Sequence, residues 1–318
     1  MEGIISRVES KDYYVLENVS LKEIRCVLRG KFKKDFALKK DKLFLTDIAV
    51  VGDKVKFELN DDGTGIIFEI LLRENYLSRK APKIRGASYR GERLEQIIAA
   101  NIDRVFIVTS IAEPNFNNKT VDRFLVACES SGLKPIIIIN KVDLDEHQQH
   151  FKWKNLYSDI GYEVIVTSKK NGTGLDELKS KLPENKNLFW GQSGVGKSSI
   201  LNAIYPQLNL KTGEISNYTS KGTHTTVTSN LFFVGENTFI IDTPGVREID
   251  PYGIRKEDLG HYFIEFADYI HQCRFNTCTH QHEPGCAVVE AVNKGLITEE
   301  RYDSYLRILD TIEEDINF

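Results

Sequence analysis

The sequence predicts an α/β protein in which a small β-barrel precedes the central domain and a helical module follows it. From about residue 93, short apolar runs typical of strands alternate with helical stretches, as in a mainly parallel sheet covered by helices. Before that point the strand-like runs have no helices between them, and from about residue 252 they stop. These three observations divide the 318 residues into three parts.

The first part, residues 1–72, is predicted to be a small β-barrel. Its runs rich in β-branched and aromatic residues are residues 13–16, 23–28, 55–59 and 66–71. Turn-forming Asn, Asp and Gly residues separate these runs. This density of runs corresponds to some five short strands in about 70 residues, which is typical of the oligonucleotide-binding (OB) fold. A small SH3-like barrel fits the same pattern.

Basic residues are concentrated in the N-terminal third. Residues 22–42 hold nine basic residues against three acidic ones, and residues 79–93 hold six against one. The second tract overlaps residues 73–92, whose polar, proline- and glycine-containing sequence predicts a basic linker. The net charge of the whole chain is −4, so these tracts are local features. They can attract a polyanion such as RNA, or they can be an ordinary solvated surface.

Composition excludes several classes of protein. Hydrophobic residues make up 41% of the chain and charged residues 28%, which excludes a wholly disordered chain. No apolar run is long enough to span a bilayer, and the first residues do not resemble a secretory signal. Five cysteines are too few for a disulfide scaffold. We therefore expect a cytoplasmic protein without membrane contact.

The central domain, residues 93–251, holds six apolar strand candidates, which are residues 104–109, 135–140, 163–167, 187–190, 230–234 and 238–242. Helical stretches lie between several of them. In one stretch, Val121, Phe124, Leu125 and Cys128 fall at spacings of three, four and seven, which places them on one face of a helix. This alternation predicts a mainly parallel sheet.

A phosphate-binding P-loop follows the fourth of these strands. The pattern G-x-x-x-x-G-K-[ST] and its continuation are matched by Gly191, Gln192, Ser193, Gly194, Val195, Gly196, Lys197, Ser198 and Ser199. The glycines let backbone N–H groups surround the phosphates. Lys197 is expected to reach the β- and γ-phosphates, and the Ser198 hydroxyl is expected to bind Mg²⁺. The alternative is a glycine-rich turn before a helix, without a ligand.

The last strand of the domain ends in Asp242-Thr243-Pro244-Gly245. An aspartate at the carboxyl end of a strand beside a P-loop can hold the Mg²⁺ shell, and the N–H of Gly245 can meet the γ-phosphate. Between the P-loop and this strand, Thr225 or Thr226 is expected to complete the Mg²⁺ coordination.

Two other strand ends predict a guanine site. The first carries Asn140, Lys141, Val142 and Asp143, and the second carries Thr167, Ser168 and Lys169. The carboxylate of Asp143 can accept from guanine N1 and N2, donors that adenine does not present in that arrangement. Backbone N–H groups of the second run can meet guanine O6. Taken alone, each run is an ordinary polar end of a strand.

The order of the motifs is unusual. In most Ras-like GTPases the P-loop comes first and N-K-x-D follows D-x-x-G, whereas here N-K-V-D precedes the P-loop and D-T-P-G comes last. This order is typical of circularly permuted GTPases. Ras-like enzymes also place a glutamine after D-x-x-G to orient water, and here that position is Val246. We predict that His224, whose neutral imidazole can accept from water, performs this catalytic role.

The last part of the chain, residues 252–318, is predicted to form helices over 259–270, 287–293 and 298–315. Between the first two lies a C-x4-C-x-H-x5-C pattern that comprises Cys273, Cys278, His280 and Cys286. Three thiolates and one imidazole complete a closed tetrahedral structural zinc site. His282 competes with His280 as the ligand, and a cluster of metal-free thiols is the alternative. Cys26 and Cys128 are predicted to be core thiols.

With these motifs the whole chain resembles the RsgA-type small ribosomal subunit biogenesis GTPases. The resemblance carries over residues 140–143, 191–199, 222–226 and 242–245 and the four zinc ligands. The family's switch segment usually reads G-[RK]-H-T-T-T; here Thr223 replaces the basic residue and Val227 replaces the last threonine. The resemblance implies that the small ribosomal subunit stimulates GTP hydrolysis late in its own maturation.

The predicted architecture is therefore a circularly permuted P-loop GTPase domain with an N-terminal OB-like barrel and a C-terminal helical zinc-binding module. We expect a monomer that binds GTP or GDP with Mg²⁺, holds one zinc ion, and contacts ribosomal RNA through its flanking parts. Two rival functions remain. A small-molecule NTPase would leave N-K-V-D and the basic tracts unexplained, and a passive nucleotide-binding scaffold would make hydrolysis incidental.

Overall fold

The computed structural model describes residues 1–30, 32, 48–81, 95–212, 229–245 and 250–312. Within these residues an eleven-stranded sheet runs through the barrel and the α/β domain. The helical module packs against the first helix of the α/β domain. Most of the two basic tracts and the whole segment around His224 lie outside the described residues.

Five strands close the N-terminal barrel, and they are β1 (Glu2–Glu9), β2 (Asp12–Glu17), β3 (Glu23–Leu28), β4 (Lys54–Leu59) and β5 (Gly65–Ile70). They pair in the order β1-β2-β3-β5-β4, and β4 pairs back with β1. The barrel prediction is confirmed. β1 was not predicted as a strand, because a bulge between Ile5 and Arg7 interrupts the alternation of apolar and polar residues.

A two-stranded antiparallel ribbon follows the barrel and consists of β6 (Tyr76–Lys80) and β7 (Glu95–Ala100). The segment predicted as a linker, residues 73–92, thus contains a strand. Arg73 joins this segment to the barrel, because its Nε and Nη2 donate to the buried carboxylate of Asp53 at 2.7 and 2.8 Å. The barrel is therefore fixed to the rest of the chain by a largely buried ion pair.

The α/β domain contains the predicted strands, which are β8 (Arg104–Ser110), β9 (Pro135–Asn140), β10 (Glu163–Val166), β11 (Lys186–Gly191), β12 (Asn230–Gly235) and β13 (Thr238–Asp242). They lie in the order β10-β9-β8-β11-β13-β12, and all are parallel except β12. β12 also pairs with β1 through Asn230 and Arg7, so the barrel continues the sheet.

Helices cover both faces of this sheet, and they are α1 (Asn118–Ser130), α2 (Gln149–Asp159), α3 (Leu175–Ser180) and α4 (Lys197–Ile204). The cores show that α1 and α2 cover one face, whereas α3 and α4 cover the other. The strand order reverses between β8 and β11. In open α/β sheets ligands bind at the carboxyl ends of the strands at such a reversal.

The C-terminal module contains α5 (Ala267–Ile270), α6 (Ala287–Asn293) and α7 (Glu299–Leu309). The continuous helix predicted over residues 259–270 is wrong: two 3-10 turns, Leu259–Tyr262 and Ile264–Phe266, precede α5. Phe263 adopts an extended conformation between the turns, and this bend lets Phe263 and Phe266 both pack on Tyr305. Aromatic packing therefore outweighs local helix propensity.

A buried ion pair locks α7 to α1. Arg301 on α7 donates from Nη1 to Asp122 on α1, and from Nε to Glu265 at 2.6 Å. The Arg301 side chain is 1% exposed and that of Asp122 is 0% exposed. Tyr157 also donates to Asp122, at 2.8 Å. The module is thus anchored on the α/β domain by fully desolvated charges.

Candidate nucleotide-binding and metal sites

The P-loop lies at the carboxyl end of β11, where Gly191 ends the strand and Lys197 begins α4. Gly196 adopts φ +96°, and a Cβ at this residue would lie 2.4 Å from Asn140 Nδ2, so only glycine fits. Lys197 Nζ donates to the carbonyls of Gly191 and Gln192 at 2.9 and 3.0 Å. Burial lowers the pKa of Lys197 to about 8, although nearby Asp242 opposes the shift.

Asp242 lies on the strand next to the P-loop, paired in register with Phe189. Burial raises the pKa of Asp242 to about 6, and Lys197 opposes this shift. Its Oδ1 atom is buried and has no hydrogen-bond partner among the described residues. An orphaned carboxylate oxygen beside a P-loop fits a cation such as Mg²⁺. The hydroxyl of Ser198, which also lies at the P-loop, offers a second oxygen ligand of the kind that Mg²⁺ prefers.

Gly245 brings the end of D-T-P-G against the P-loop. A Cβ on Gly245 would lie 2.6 Å from the Cα of Ser193, so the backbones approach as closely as glycine permits. Thr243 fixes the turn before it, because its hydroxyl donates to the carbonyl of Phe189 at 2.8 Å. The N–H of Gly245 is therefore held beside the phosphate-binding loop.

Asn140 connects three of the predicted motifs. Its Nδ2 donates to the carbonyl of Val195 in the P-loop at 2.8 Å, and its Oδ1 accepts from the hydroxyl of Thr167 at 3.0 Å. Both Asn140 and Thr167 are buried. N-K-V-D and T-S-K are thus bound to the P-loop by side-chain hydrogen bonds.

The two runs predicted to bind guanine, residues 140–143 and 167–169, are called the base-recognition runs. Their remaining residues lie at the surface, at the same edge of the sheet. The buried hydroxyl of Ser168 donates to Asp143, which is half-buried, whereas Lys169 is exposed. Val142 is half-buried, and its N–H donates to the Thr167 carbonyl at 3.3 Å. The Asp143 carboxylate is therefore oriented by Ser168 while it remains accessible to a ligand.

One segment of this site was missed by sequence reasoning. Lys141 Nζ donates to the carbonyl of Glu113, in the turn between β8 and α1. A Cβ on Gly194 would lie 3.7 Å from Pro114 Cδ, so the same turn also faces the P-loop. Sheet topology could have pointed to this turn, because it follows β8, which lies next to β11 where the strand order reverses.

Three predicted site residues cannot be placed relative to this edge. His224, Thr225 and Thr226 lie outside the described residues, as does Val246. The described part of the site therefore contains the P-loop, both base-recognition runs, Asp242 and Gly245.

The four predicted zinc ligands meet in the C-terminal module. The ligand atoms of Cys273, Cys278, His280 and Cys286 all lie within 4.8 Å of one another. Cys273 Sγ lies 3.6 Å from His280 Nδ1 and 3.9 Å from Cys286 Sγ. A tetrahedral site with Zn–S bonds of about 2.3 Å separates its sulfur atoms by about 3.8 Å, so this set fits zinc.

The ligand loop is supported by the last helix. Tyr302 donates to the carbonyl of His280 at 2.8 Å, and Tyr305 donates to that of Thr279 at 2.6 Å. His280 adopts φ +54°, a conformation that these contacts help to hold. The competing His282 is exposed and is not in the cluster.

Two family models match this chain. The family model described as RsgA GTPase matches residues 70–252, and the model of the RsgA N-terminal domain matches residues 2–67. The chain belongs to the RsgA GTPase family. A relative from Bacteroides thetaiotaomicron, named small ribosomal subunit biogenesis GTPase RsgA 2, is 39% identical over 99% of this chain and 98% of its own. The Caldanaerobacter subterraneus relative, with the RsgA name, is 37% identical over 99% and 96%.

Two solved structures share the architecture of this RsgA family member. YjeQ from Thermotoga maritima superposes with a TM-score of 0.72 and 32% identity over 97% of each chain. YloQ, described as a circularly permuted GTPase, superposes with a TM-score of 0.69 and 31% identity over 100% of this chain and 96% of that one. The chain is a circularly permuted GTPase, which converts GTP and water to GDP and phosphate. Across the described ranges, the helices are too short or too polar to span a bilayer.

Proposed function

We propose that this GTPase acts late in the maturation of the small ribosomal subunit, in the cytoplasm and as a monomer, and that the subunit stimulates its GTP hydrolysis. The observation that carries the proposal is the match to relatives named small ribosomal subunit biogenesis GTPases over nearly the full length of both chains. If this chain and these relatives had only the GTPase domain in common, a common partner would not follow. They also have the barrel and the C-terminal part in common, which favours the same partner.

The proposed roles at the nucleotide site follow its geometry. Asp143, oriented by Ser168, accepts from guanine N1 and N2. The N–H groups of Thr167 and Ser168 already donate to the carbonyls of Ile139 and Thr173, so the N–H of Lys169 is the one that we assign to guanine O6. Residues 191–199 surround the phosphates, and Lys197 exchanges its carbonyl partners for phosphate oxygens. Ser198 and Asp242 would hold Mg²⁺, together with Thr225 or Thr226. When bound there, Mg²⁺ would supply positive charge that offsets the charge developing on the phosphates.

Hydrolysis needs a group that orients the attacking water, and we assign this role to His224. A neutral imidazole can accept a hydrogen bond or a proton from water near pH 7. The assignment rests on the position of His224 in the switch segment and on Val246, which has no polar group for this role. Contacts of the subunit with the switch segment would explain stimulated hydrolysis.

The flanking parts are proposed to bind ribosomal RNA. The proposed units are the barrel (residues 1–72), the linker (73–92), the GTPase domain (93–251) and the zinc module (252–318). Phosphate contacts would come mainly from the basic tracts at residues 22–42 and 79–93. One zinc ion, held by the four ligands of the cluster, would fix the module and would take no part in hydrolysis.

Co-sedimentation with purified small subunits tests this proposal. We expect more protein in the pellet with a non-hydrolysable GTP analogue than with GDP, and less as the salt concentration rises. Reversal of Lys33, Lys34, Arg85 and Arg90 to Glu should reduce binding without changing intrinsic GTP affinity. Binding that is independent of the nucleotide would support a passive scaffold. The absence of binding would contradict the proposed partner.

A further inference from the structure

Phe275 is an exposed aromatic side chain on the loop between the first two cysteines of the zinc cluster. Its side chain is 43% exposed, and its neighbours from Arg274 to Thr277 are exposed as well. The loop is anchored at both ends, because Cys273 and Cys278 belong to the metal-ligand set. The ring is therefore presented to solvent by a short loop that the cluster holds in place.

Arg274 lies beside this ring, with its guanidinium carbon 5.5 Å from the ring centroid. Its N–H donates to the carbonyl of Gly285 at 3.2 Å. A Cβ on Gly285 would lie 3.2 Å from Arg274 Cβ, and Gly285 has φ +79°, so glycine allows the arginine to lie against the backbone here. Among the described residues, no carboxylate forms an ion pair with Arg274.

The first carboxylate that follows Arg274 in the sequence is already engaged. Glu283 is the single acidic residue in residues 271–286. Its oxygens accept from three backbone N–H groups and one hydroxyl of residues 279–282. The charge of Arg274 thus remains available to an anionic partner.

A second arginine–aromatic pair on the protein surface provides a contrast. On the barrel, the guanidinium carbon of Arg7 lies 3.9 Å from the centroid of Tyr14. That guanidinium also forms ion pairs with Glu9 and Glu23 at 2.8 and 3.3 Å, which compensate its charge. The pair on the zinc loop combines an exposed ring with an uncompensated cation, whereas the pair on the barrel does not.

We propose that Phe275 and Arg274 form a stacking platform for an unpaired RNA base, with Arg274 binding an adjacent phosphate. Proteins recognise single-stranded RNA by stacking its splayed bases on aromatic rings and guanidinium planes. Asn276 and Thr277, exposed on the same loop, add polar groups for the edge of a base. This inference rests on the proposed function, in which ribosomal RNA is the partner.

Co-sedimentation of Phe275 variants with small subunits, in the presence of a GTP analogue, tests the platform. Phe275→Ala should weaken binding by about 5- to 150-fold, the range measured for loss of one stacked base. Phe275→Tyr should retain binding, because its ring also stacks, whereas Phe275→Leu should not. Arg274→Gln should reduce the salt dependence by about one phosphate contact, and Phe275→Ala should leave that dependence unchanged.

Controls separate a lost contact from a lost fold. Phe275→Ala should keep its zinc and its unstimulated GTP turnover, and Phe151→Ala, at an exposed aromatic residue of the GTPase domain, should bind like the native protein. If the native protein and Phe275→Ala bind the small subunit equally well, the proposal of a stacking platform is wrong, whereas the proposed function stands. Restoration by Phe275→Leu would indicate apolar docking on a protein and would overturn base stacking. Failure of the native protein to bind would remove the proposed function and the platform together.

Discussion

Asn140 donates to the carbonyl oxygen of Val195 at 2.8 Å, and this buried hydrogen bond joins residues that are 55 positions apart. It ties the base-recognition run after β9 to the P-loop after β11. In this chain the base-recognition run comes first, yet both runs lie at the carboxyl edge of one sheet. The nucleotide site is thus defined by strand adjacency and not by the order of the motifs along the chain.

Replacing Asp143 with Asn should reduce the preference for GTP over ATP. The carboxylate is expected to accept two donors of guanine, and a hydrogen bond to a charged group contributes about 1.5–3 kcal/mol. We therefore expect GTP affinity to fall by about 10- to 150-fold, measured with fluorescent nucleotides, while ATP affinity changes little. The control is Asp145→Asn, since Asp145 caps α2 through Gln149 and His150. An unchanged ratio of GTP to ATP affinity in Asp143→Asn would contradict the assignment.

Replacing Arg301 with Met should destabilise the protein strongly. The substitution leaves the buried carboxylates of Asp122 and Glu265 without their cation, which costs about 3–5 kcal/mol. Arg307→Met is the matched control on the same helix, because its ion pair with Asp303 is exposed and is expected to contribute less than about 0.5 kcal/mol. Chemical denaturation measures both effects. Equal losses of stability in the two variants would show that burial of the ion pair does not matter.

Glu283 should make the zinc loop sensitive to acid. Burial raises the pKa of Glu283, but hydrogen bonds from Thr279 and Gln281 outweigh it and lower the pKa to about 2, from 4.5. Because the folded-state pKa is the lower one, the carboxylate stabilises the fold above about pH 4.5, and this contribution is lost as the pH falls through about 2.

Glu283→Gln should therefore be less stable than the native protein at pH 7, and the difference should shrink as the pH falls below 4.5. Thermal denaturation at several pH values, with zinc in excess, measures this difference. The control is Glu290→Gln, whose ion pair with Lys294 is exposed. A difference that stays constant down to pH 3 would show that the Glu283 carboxylate is not the titrating group.

His224→Ala should bind GTP and dock on the small subunit like the native protein, yet lose most of its stimulated hydrolysis. The physical reason is the loss of the group that orients water, while the phosphate and guanine contacts remain. Phosphate release at saturating subunit measures the effect, and His147→Ala, at an exposed histidine, is the control. A full stimulated rate in His224→Ala would assign the role to a group supplied by the ribosome.

The sequence predicted the site best where the chemistry is local. The P-loop, N-K-V-D and the Cys3His pattern are short runs whose residue types and spacing predict their ligands when the motifs of the chain are considered together. The turn at Glu113 and Pro114 could not be found this way, because Glu113 contributes a backbone carbonyl, which every residue has. Only the position of its strand, at the reversal of the sheet order, distinguishes this turn.

Long-range pairing was the other feature that the sequence did not reveal. Arg301 and Asp122 are 179 residues apart in the sequence. An arginine on a helix is also predicted to be exposed, because arginine is seldom fully buried. The pairing of β1 with β12, through Arg7 and Asn230, likewise depends on residues from two different parts of the chain. Periodicity predicts which face of an element is buried, but it does not identify the element that covers it.

The most direct test of the account is GTP turnover measured with and without purified small ribosomal subunits, with ATP as the comparison nucleotide. We expect slow intrinsic turnover, on the order of 10⁻⁴ to 10⁻² per second as in unassisted GTPases, and a clear acceleration by the subunit with GTP alone. Equal turnover in the presence and absence of the subunit, or the same acceleration with ATP, would contradict a subunit-stimulated GTPase.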